Sequence, residues 1–250
     1  MSLIIATVVR DGIVVAADTR TTIKNSEGHC RYCDFGEKLI PFPNKIVVLS
    51  CGDSDINNRI SVKKFLYDLR KEIGKDAKIT ELPLQILNAY KEKGGRKNTY
   101  FIVAGVSYYS EDIFVYSVNT KTNQIELKFS NSFGATYNGM TDIAHAIMSS
   151  GINYENLALG EAIELTKNCL EENIFLSKFN KEQGIGGECQ VYVIDILHHK
   201  LGWLEKDGVL REDENANPNA FEDWRQAEMK KFEKQIIEKR IIENNNVEKE

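Results

Sequence analysis

The chain has 250 residues, of which 42% are hydrophobic and 28% charged, with a formal net charge of −5. This apolar content can form a sizeable core and argues against global disorder, and the scattered Lys and Arg residues argue against a nucleic-acid-binding surface. No apolar run has the length of a membrane span and no secretory signal is visible, so we expect a cytoplasmic protein without a membrane partner.

The first twenty residues predict a β-hairpin. Two apolar runs, Leu3–Val9 and Ile13–Ala17, flank Asp11 and Gly12. An Asp-Gly pair between apolar runs is a strong hairpin signal, because the tight turn requires positive φ angles that glycine adopts easily. Both runs are apolar at consecutive positions, so we expect a sheet that is covered on both faces.

The remaining predicted elements follow the order strands, helices, strands, helices, strands, without a βαβ rhythm. They are strands near 37–41 and 45–51, helices at about 53–73 and 81–93, strands at 99–107, 113–118 and 125–129, helices at 142–149 and 154–172, and strands at 189–196 and 200–205. Such segregation predicts an α+β fold in which antiparallel sheets lie between helical layers.

The composition changes after Asp207. We interpret residues 1–205 as one domain, 206–220 as a polar linker and 221–250 as a charged helical extension. The apolar stripe of this extension is loose and its charges nearly balance. It fits a solvated helix that packs on its own domain, or a helix that docks on a neighbouring subunit.

Residues 11–20, Asp-Gly-Ile-Val-Val-Ala-Ala-Asp-Thr-Arg, resemble the opening of proteasome β subunits and their bacterial relatives. In this N-terminal-nucleophile (Ntn) hydrolase family, the mature chain begins with the nucleophile, and its second strand ends in Ala-Asp-x-Arg. Counting back from Gly12 without a gap places the nucleophile on Ser2. The resemblance covers about residues 2–204 and implies the family's four-layer αββα sandwich, with two antiparallel sheets between helical layers.

A nucleophile on the first residue needs no separate catalytic base. An α-amino group has a reference pKa of about 7.7–8.0, so much of it is neutral near physiological pH and can accept the hydroxyl proton. Met1 must be removed for this chemistry, and initiator methionine is generally removed before small residues such as Ser2. The reaction would form an acyl-Ser2 intermediate without a cofactor.

The resemblance also implies roles for other residues. Asp18 and Lys38 match the family's catalytic acid and lysine, and a buried ammonium beside a carboxylate could lower the pKa of the terminal amine. The backbone N–H of Cys51 matches the donor to the reaction's oxyanion. Arg20 and Glu182 match supporting positions.

Two departures from the family pattern leave alternatives open. Ile185 precedes Gly186-Gly187 where the family has a serine, and no serine occupies the other supporting position near Gly139. These departures favour a catalytically silent ring subunit as one alternative, and a small-molecule amidase of the same fold is a second alternative. The resemblance itself implies peptide or protein substrates, self-association into a ring and an ATP-dependent unfoldase partner.

Cys30 and Cys33 form a single Cys-x-x-Cys pair within a set of five irregularly spaced cysteines. A zinc site would need a second pair of ligands at suitable spacing, and a secreted disulfide framework would need a more regular pattern. We therefore expect neither a metal site nor a disulfide scaffold.

Overall fold

The computed structural model describes residues 2–24, 30–57, 60–95, 97–108, 110–179, 184–205 and 209–212. Its helices are α1 (Val62–Ile73), α2 (Leu82–Glu92), α3 (Asp142–Met148) and α4 (Leu159–Ser177), with a 3-10 turn at Gly74–Asp76. Its strands are β1 (Leu3–Val9), β2 (Gly12–Asp18), β3 (Thr21–Lys24), β4 (Cys30–Cys33), β5 (Leu39–Phe42), β6 (Ile46–Gly52), β7 (Thr99–Val106), β8 (Ile113–Asn119), β9 (Gln124–Ser130), β10 (Gly134–Gly139), β11 (Cys189–Asp195), β12 (Lys200–Leu204) and β13 (Leu210–Glu212).

The predicted N-terminal hairpin is confirmed. β1 and β2 pair antiparallel from Ile4 opposite Ala17 to Val9 opposite Gly12. Every side chain of both strands is buried. Their continuous apolar character reflects apolar packing on both faces of this sheet.

The described residues form three antiparallel sheets, with four α-helices. One sheet has six strands in the order β10-β1-β2-β11-β12-β13, one has five in the order β5-β6-β7-β8-β9, and β3 and β4 form a separate two-stranded sheet. The predicted four-layer αββα sandwich of two sheets is therefore wrong. β3 and β4, in a region where no element is predicted, pair with each other as a third sheet instead of extending a large one.

The hydrophobic core has three parts. One cluster joins α1 and α2 to the five-stranded sheet, and it includes Phe65, Tyr90 and Phe101, whose ring centres lie 6.0–6.5 Å apart. A second contains residues of both large sheets. A third joins the six-stranded sheet to α3 and α4. Burial of these large apolar side chains is the main stabilising term of the fold.

The C-terminal part of the sequence is only partly described. β13 adds a short strand to the six-stranded sheet inside the segment expected to be a linker. The expected helical extension at 221–250 lies outside the described residues, and the proposed division into domains stays a prediction. Within the described ranges, no helix is long and apolar enough to cross a membrane.

Candidate active site

Ser2 lies directly before β1 and is buried, with 6% of its surface exposed. Its carbonyl oxygen accepts a hydrogen bond of 2.9 Å from the backbone N–H of Met140, which continues the pairing of β1 with β10. Alternate residues of β1, from Ile4 to Val8, face the core cluster shared by the two large sheets. Because strand side chains alternate between faces, Ser2 lies on that same face.

Asp18 ends β2 and has no exposed surface. Its Oδ1 accepts the backbone N–H of Leu3 at 2.9 Å and lies 2.8 Å from Lys38 Nζ. Its Oδ2 accepts the backbone N–H groups of Gly186 at 3.2 Å and Arg20 at 3.3 Å. Three amide donors and one ammonium therefore hold this carboxylate in a single orientation.

Lys38 directly precedes β5, and its ammonium lies near the peptide bond between Ser2 and Leu3. Leu3 N and Lys38 Nζ contact the same oxygen of Asp18 at 2.9 and 2.8 Å, so the two nitrogens lie within about 6 Å of each other. Burial lowers the pKa of Lys38 from its ordinary value of 10.5, and the charge of Asp18 opposes this effect. Among the described residues, none gives Nζ a hydrogen bond of regular geometry beyond this ion pair. The ammonium can therefore donate to a group at Ser2.

The end of β6 presents backbone donors on two different edges. Ser50 N–H donates to the carbonyl of Lys38 at 2.8 Å. Because N–H groups alternate between the edges of a strand, Cys51 N–H faces β7, where Cys51 pairs with Tyr100. Asp53 N–H follows the same alternation and donates to Asn98 O at 3.1 Å. Gly52 N–H thus faces the Lys38 side, which makes Gly52, rather than Cys51, the better-placed donor to this site.

The side chain of Cys51 lies in the core between the large sheets and is 4% exposed. Burial raises the pKa of its thiol to about 12, although the nearby ammonium of Lys38 acts in the opposite direction. A thiol with this pKa stays protonated at physiological pH and is a poor nucleophile. Cys51 therefore acts here as a packing residue.

Arg20 supports the turn that follows Asp18. Its Nε and Nη2 donate to the two carboxylate oxygens of Asp34 at 2.6 and 2.9 Å. A Cβ atom at Gly186 would lie 2.3 Å from Arg20 Cζ, so only glycine allows the guanidinium to approach this backbone. The predicted supporting position of Arg20 thus lies beside the Asp18–Gly186 contact.

Two sequence predictions fall partly or wholly outside the described residues. Glu182 lies outside them, as does the side chain of Cys30. Cys33 is exposed and carries a free thiol. Throughout the described part of the chain, no group of three or more His, Cys, Asp or Glu residues could hold a metal ion.

Comparison with known proteins gives structural matches only. No protein-family model matches the chain, and no curated protein matches it. It is similar in structure to Anbu from Hyphomicrobium sp. strain MC1, with a TM-score of 0.61 and 16% identity over 93% of this chain and 97% of that one. The Gly-1 mutant of Anbu from the same strain matches with a TM-score of 0.62 and 16% identity over 94% and 97%.

These matches correct the resemblance inferred from residues 11–20. Membership of the proteasome β-subunit family is not supported, because no family model matches and the matching structures are those of Anbu. At 16% identity, the matches establish a shared fold.

Sequence reasoning missed two residues of this site. Asp34 is separated from Arg20 by fourteen positions, and no local pattern indicates that they pair. Gly52 was passed over in favour of Cys51, yet the positive φ of +97° at Gly52 marks the end of β6. A glycine directly after the apolar run predicted as a strand at 45–51 was the available signal.

Proposed function

We propose that this chain, after removal of Met1, is an N-terminal serine hydrolase that cleaves amide bonds through an acyl-Ser2 intermediate. The observation that supports this proposal most directly is the shared oxygen of Asp18, which contacts both Lys38 Nζ and the amide N–H next to Ser2. The structural similarity to Anbu supports a relationship to proteasome-like hydrolases in general terms.

In this mechanism, the free α-amine of Ser2 accepts the Oγ proton while Oγ attacks the carbonyl carbon of the substrate. Lys38 stays protonated beside Asp18, and its positive charge lowers the pKa of the amine and stabilises the alkoxide that develops on Oγ. The carbonyl π bond becomes an oxyanion, which Gly52 N–H stabilises.

Collapse of this tetrahedral intermediate breaks the amide C–N bond. The protonated α-amine donates its proton to the leaving nitrogen, and an ester remains on Ser2 Oγ. The α-amine then activates a water molecule, which attacks the ester and releases the carboxylic acid. Protons and electrons balance over the cycle, and Ser2 returns to its starting state.

In the sequence, the missing supporting serines favour a silent subunit, whereas the retained Ser2, Asp18 and Lys38 argue against it. The arrangement around Ser2 instead supports the active form, because a silent subunit would have no need of a buried ammonium and carboxylate beside the chain start. Burying such a pair is at best neutral for stability compared with apolar residues. Peptide or protein substrates, ring assembly and an unfoldase partner remain part of the proposal.

The test compares Ser2→Ala with Ser2→Thr. Both residues are small, so Met1 is expected to leave in each variant and the terminal amine is retained, but only threonine keeps a hydroxyl. We expect a β-lactone or epoxyketone probe to label the wild type and Ser2→Thr, and to leave Ser2→Ala unlabelled. Equal labelling of Ser2→Ala would overturn the proposal, as would hydrolysis of fluorogenic peptides that persists in that variant.

A further inference from the structure

The ion pair between Arg20 and Asp34 lies beside the proposed site and has no role in the mechanism above. Two parallel N–H···O bonds of 2.6 and 2.9 Å join the guanidinium to the carboxylate, which fixes the planes of both groups. The guanidinium also lies 5.1 Å from the centre of the Tyr32 ring. The Arg20 side chain is 17% exposed and that of Asp34 is 41% exposed.

This guanidinium is held close to Asp18. The backbone N–H of Arg20 donates to Asp18 Oδ2, and the guanidinium packs on Gly186, whose N–H donates to the same oxygen. The hydrogen bonds to Asp34 are the main reason that the pKa of Arg20 is raised, and the charge of Asp18 adds to them. Two cations therefore lie near one buried carboxylate, because Lys38 pairs with Oδ1 and the Arg20 guanidinium packs on Gly186, whose N–H contacts Oδ2.

Without its ion pair to Asp34, the Arg20 guanidinium would compete with the Lys38 ammonium for the Asp18 carboxylate. A guanidinium is more weakly hydrated than an ammonium and binds a carboxylate through two donors, so it is the better partner for a buried acid. Turning Arg20 towards Asp18 would place a second positive charge next to Lys38. Repulsion between the two cations would then weaken the Lys38–Asp18 pair.

We propose that Asp34 is a positioning residue that holds Arg20 away from Asp18 and so keeps the Asp18 carboxylate for Lys38. Asp34 suits this role because the other groups around it fix its own position. Its carbonyl accepts the Thr19 hydroxyl at 2.6 Å, and Thr19 Oγ1 in turn accepts Glu188 N–H at 2.7 Å. These hydrogen bonds connect Asp34, in the loop after β4, to Thr19 and Arg20, which follow β2.

The consequence for Lys38 can be measured without any hydrolysis. The charged or titratable groups that act on its ammonium are Asp18 at the end of β2, Cys51 on β6, Arg20 after β2 and Asp34 after β4, together with the α-amine of Ser2 once Met1 is gone. If Arg20 displaces Lys38 from Asp18, Lys38 loses the anion that favours its protonated form. The pKa of Lys38 then falls below its wild-type value.

The experiment follows the ε-methylene signals of ¹³C-labelled lysines by NMR as a function of pH, with Lys38→Arg used to assign the Lys38 signal. In Asp34→Asn we expect the pKa of Lys38 to fall, and in Asp34→Asn/Arg20→Gln we expect it to return towards the wild-type value. Arg20→Gln alone removes the competitor, so the pKa of Lys38 should stay at or above that of the wild type.

Asp68→Asn is the matched control, because it removes an exposed carboxylate that pairs with Lys64 on α1. We expect the pKa of Lys38 in this variant to equal that of the wild type. An unchanged Lys38 pKa in Asp34→Asn would overturn the inference, and so would equal decreases in the single and double variants. Asp34→Glu, which keeps the charge, should behave like the wild type and tests whether the effect arises from the carboxylate.

The catalytic consequence of this inference rests on the proposed function. We expect Asp34→Asn to label Ser2 about tenfold more slowly at pH 8, within the usual range for coupled neighbouring residues, and the double variant to recover most of the loss. Absence of labelling in the wild type would reject the proposed function, whereas the NMR titration would still decide the role of Asp34.

Discussion

At the scale of single residues, Asp18 organises the site. Its two oxygens contact the ammonium of Lys38 and three backbone N–H groups, those of the nearby Arg20 and of the distant Leu3 and Gly186. A fully buried carboxylate is stable only when its hydrogen-bonding capacity is satisfied and its charge is compensated. The side chain that is proposed to serve catalysis is therefore also a structural element.

Replacement of Asp18 should accordingly affect stability as well as activity. Asp18→Asn leaves the ammonium of Lys38 buried without its anion, and we expect a loss of about 3–5 kcal/mol in the free energy of unfolding, measured by urea denaturation. Asp18→Asn/Lys38→Met removes both charges and should regain part of this loss. A loss below about 1 kcal/mol in the single variant, as is usual for exposed pairs, would contradict the account.

Gly52 provides a test of the oxyanion assignment. Its φ is +97°, and an added Cβ would lie 2.3 Å from Asn98 O, so Gly52→Ala must shift the end of β6. We expect the rate of probe labelling to fall about 10²–10³-fold, as for loss of one oxyanion donor.

Gly94→Ala is the control for this effect. Gly94 also has positive φ, at +75°, but among the described residues no heavy atom would lie within 4 Å of an added Cβ. This variant should lose some stability and keep its labelling rate. Equal labelling by Gly52→Ala and the wild type would exclude Gly52 from the site.

At the scale of secondary-structure elements, the site depends on where strands end. Ser2, Asp18 and Gly52 lie at ends of β1, β2 and β6, and Lys38 lies directly before β5. Strand ends leave backbone N–H groups outside the ladder, where they can bind a carboxylate or an oxyanion. The regular strands fix the positions of these groups because their side chains are packed in the core.

Substitutions in helix α1 can distinguish effects on stability from effects on the candidate active site. Ser61 caps this helix by accepting the N–H of Lys64 at 3.1 Å, while Val62, Phe65, Leu66 and Leu69 pack against the core. We expect Ser61→Ala to lower the free energy of unfolding by about 1 kcal/mol and Ser61→Asp, which keeps an acceptor, to cost much less. Probe labelling should be unchanged in both folded variants. A change in labelling would show that α1 influences the site directly.

At the scale of the whole molecule, turn chemistry and strand pattern made the first hairpin predictable, but not the arrangement of the sheets. Asp11-Gly12 and the apolar runs beside it identify the first hairpin, which the structure contains. The segment at 134–139 was missed because Gly-Ala-Thr-Tyr-Asn-Gly has few strand-forming residues, and it becomes a strand through pairing with β1. The third sheet was missed because residues 21–33 lack a clear apolar alternation.

The candidate site was only partly predictable from the sequence, because some of its contacts depend on tertiary pairing. Asp18 and Lys38 were assigned by resemblance, as the acid at the end of the second strand and the lysine on the next predicted strand, and the structure joins them at 2.8 Å. The choice between Cys51 and Gly52 depends on which edge of β6 faces β7, and this register is set by tertiary pairing. The Arg20–Asp34 pair likewise depends on the course of a loop between two strands.

The buried thiols predict how the stability of the whole molecule changes at alkaline pH. Burial raises the pKa of Cys51 and of Cys189 from 9.0 to about 12 in each case. Between these values the unfolded chain releases protons that the folded chain retains, so the free energy of unfolding falls as pH rises through this window. The slope is at most about 1.4 kcal/mol per pH unit for each thiol.

Urea denaturation between pH 8 and pH 10 measures this dependence. Cys51→Ala and Cys189→Ala should each make the decrease shallower, whatever their effect on stability at pH 8. Burial lowers the pKa of Lys38, so this residue makes the free energy of unfolding rise with pH just below 10.5. Both cysteine variants retain Lys38, so its contribution cancels when their slopes are compared with that of the wild type. A slope identical to the wild type in both variants would contradict the buried state of the thiols.

The most direct test of the proposed chemistry is the intact mass of the purified protein before and after incubation with a β-lactone. The account predicts a mass that lacks Met1, followed by addition of one probe molecule, which peptide mapping places on Ser2. Full retention of Met1 would leave no terminal amine on Ser2 to act as the base. Together with absence of an adduct on Ser2, it would contradict the account.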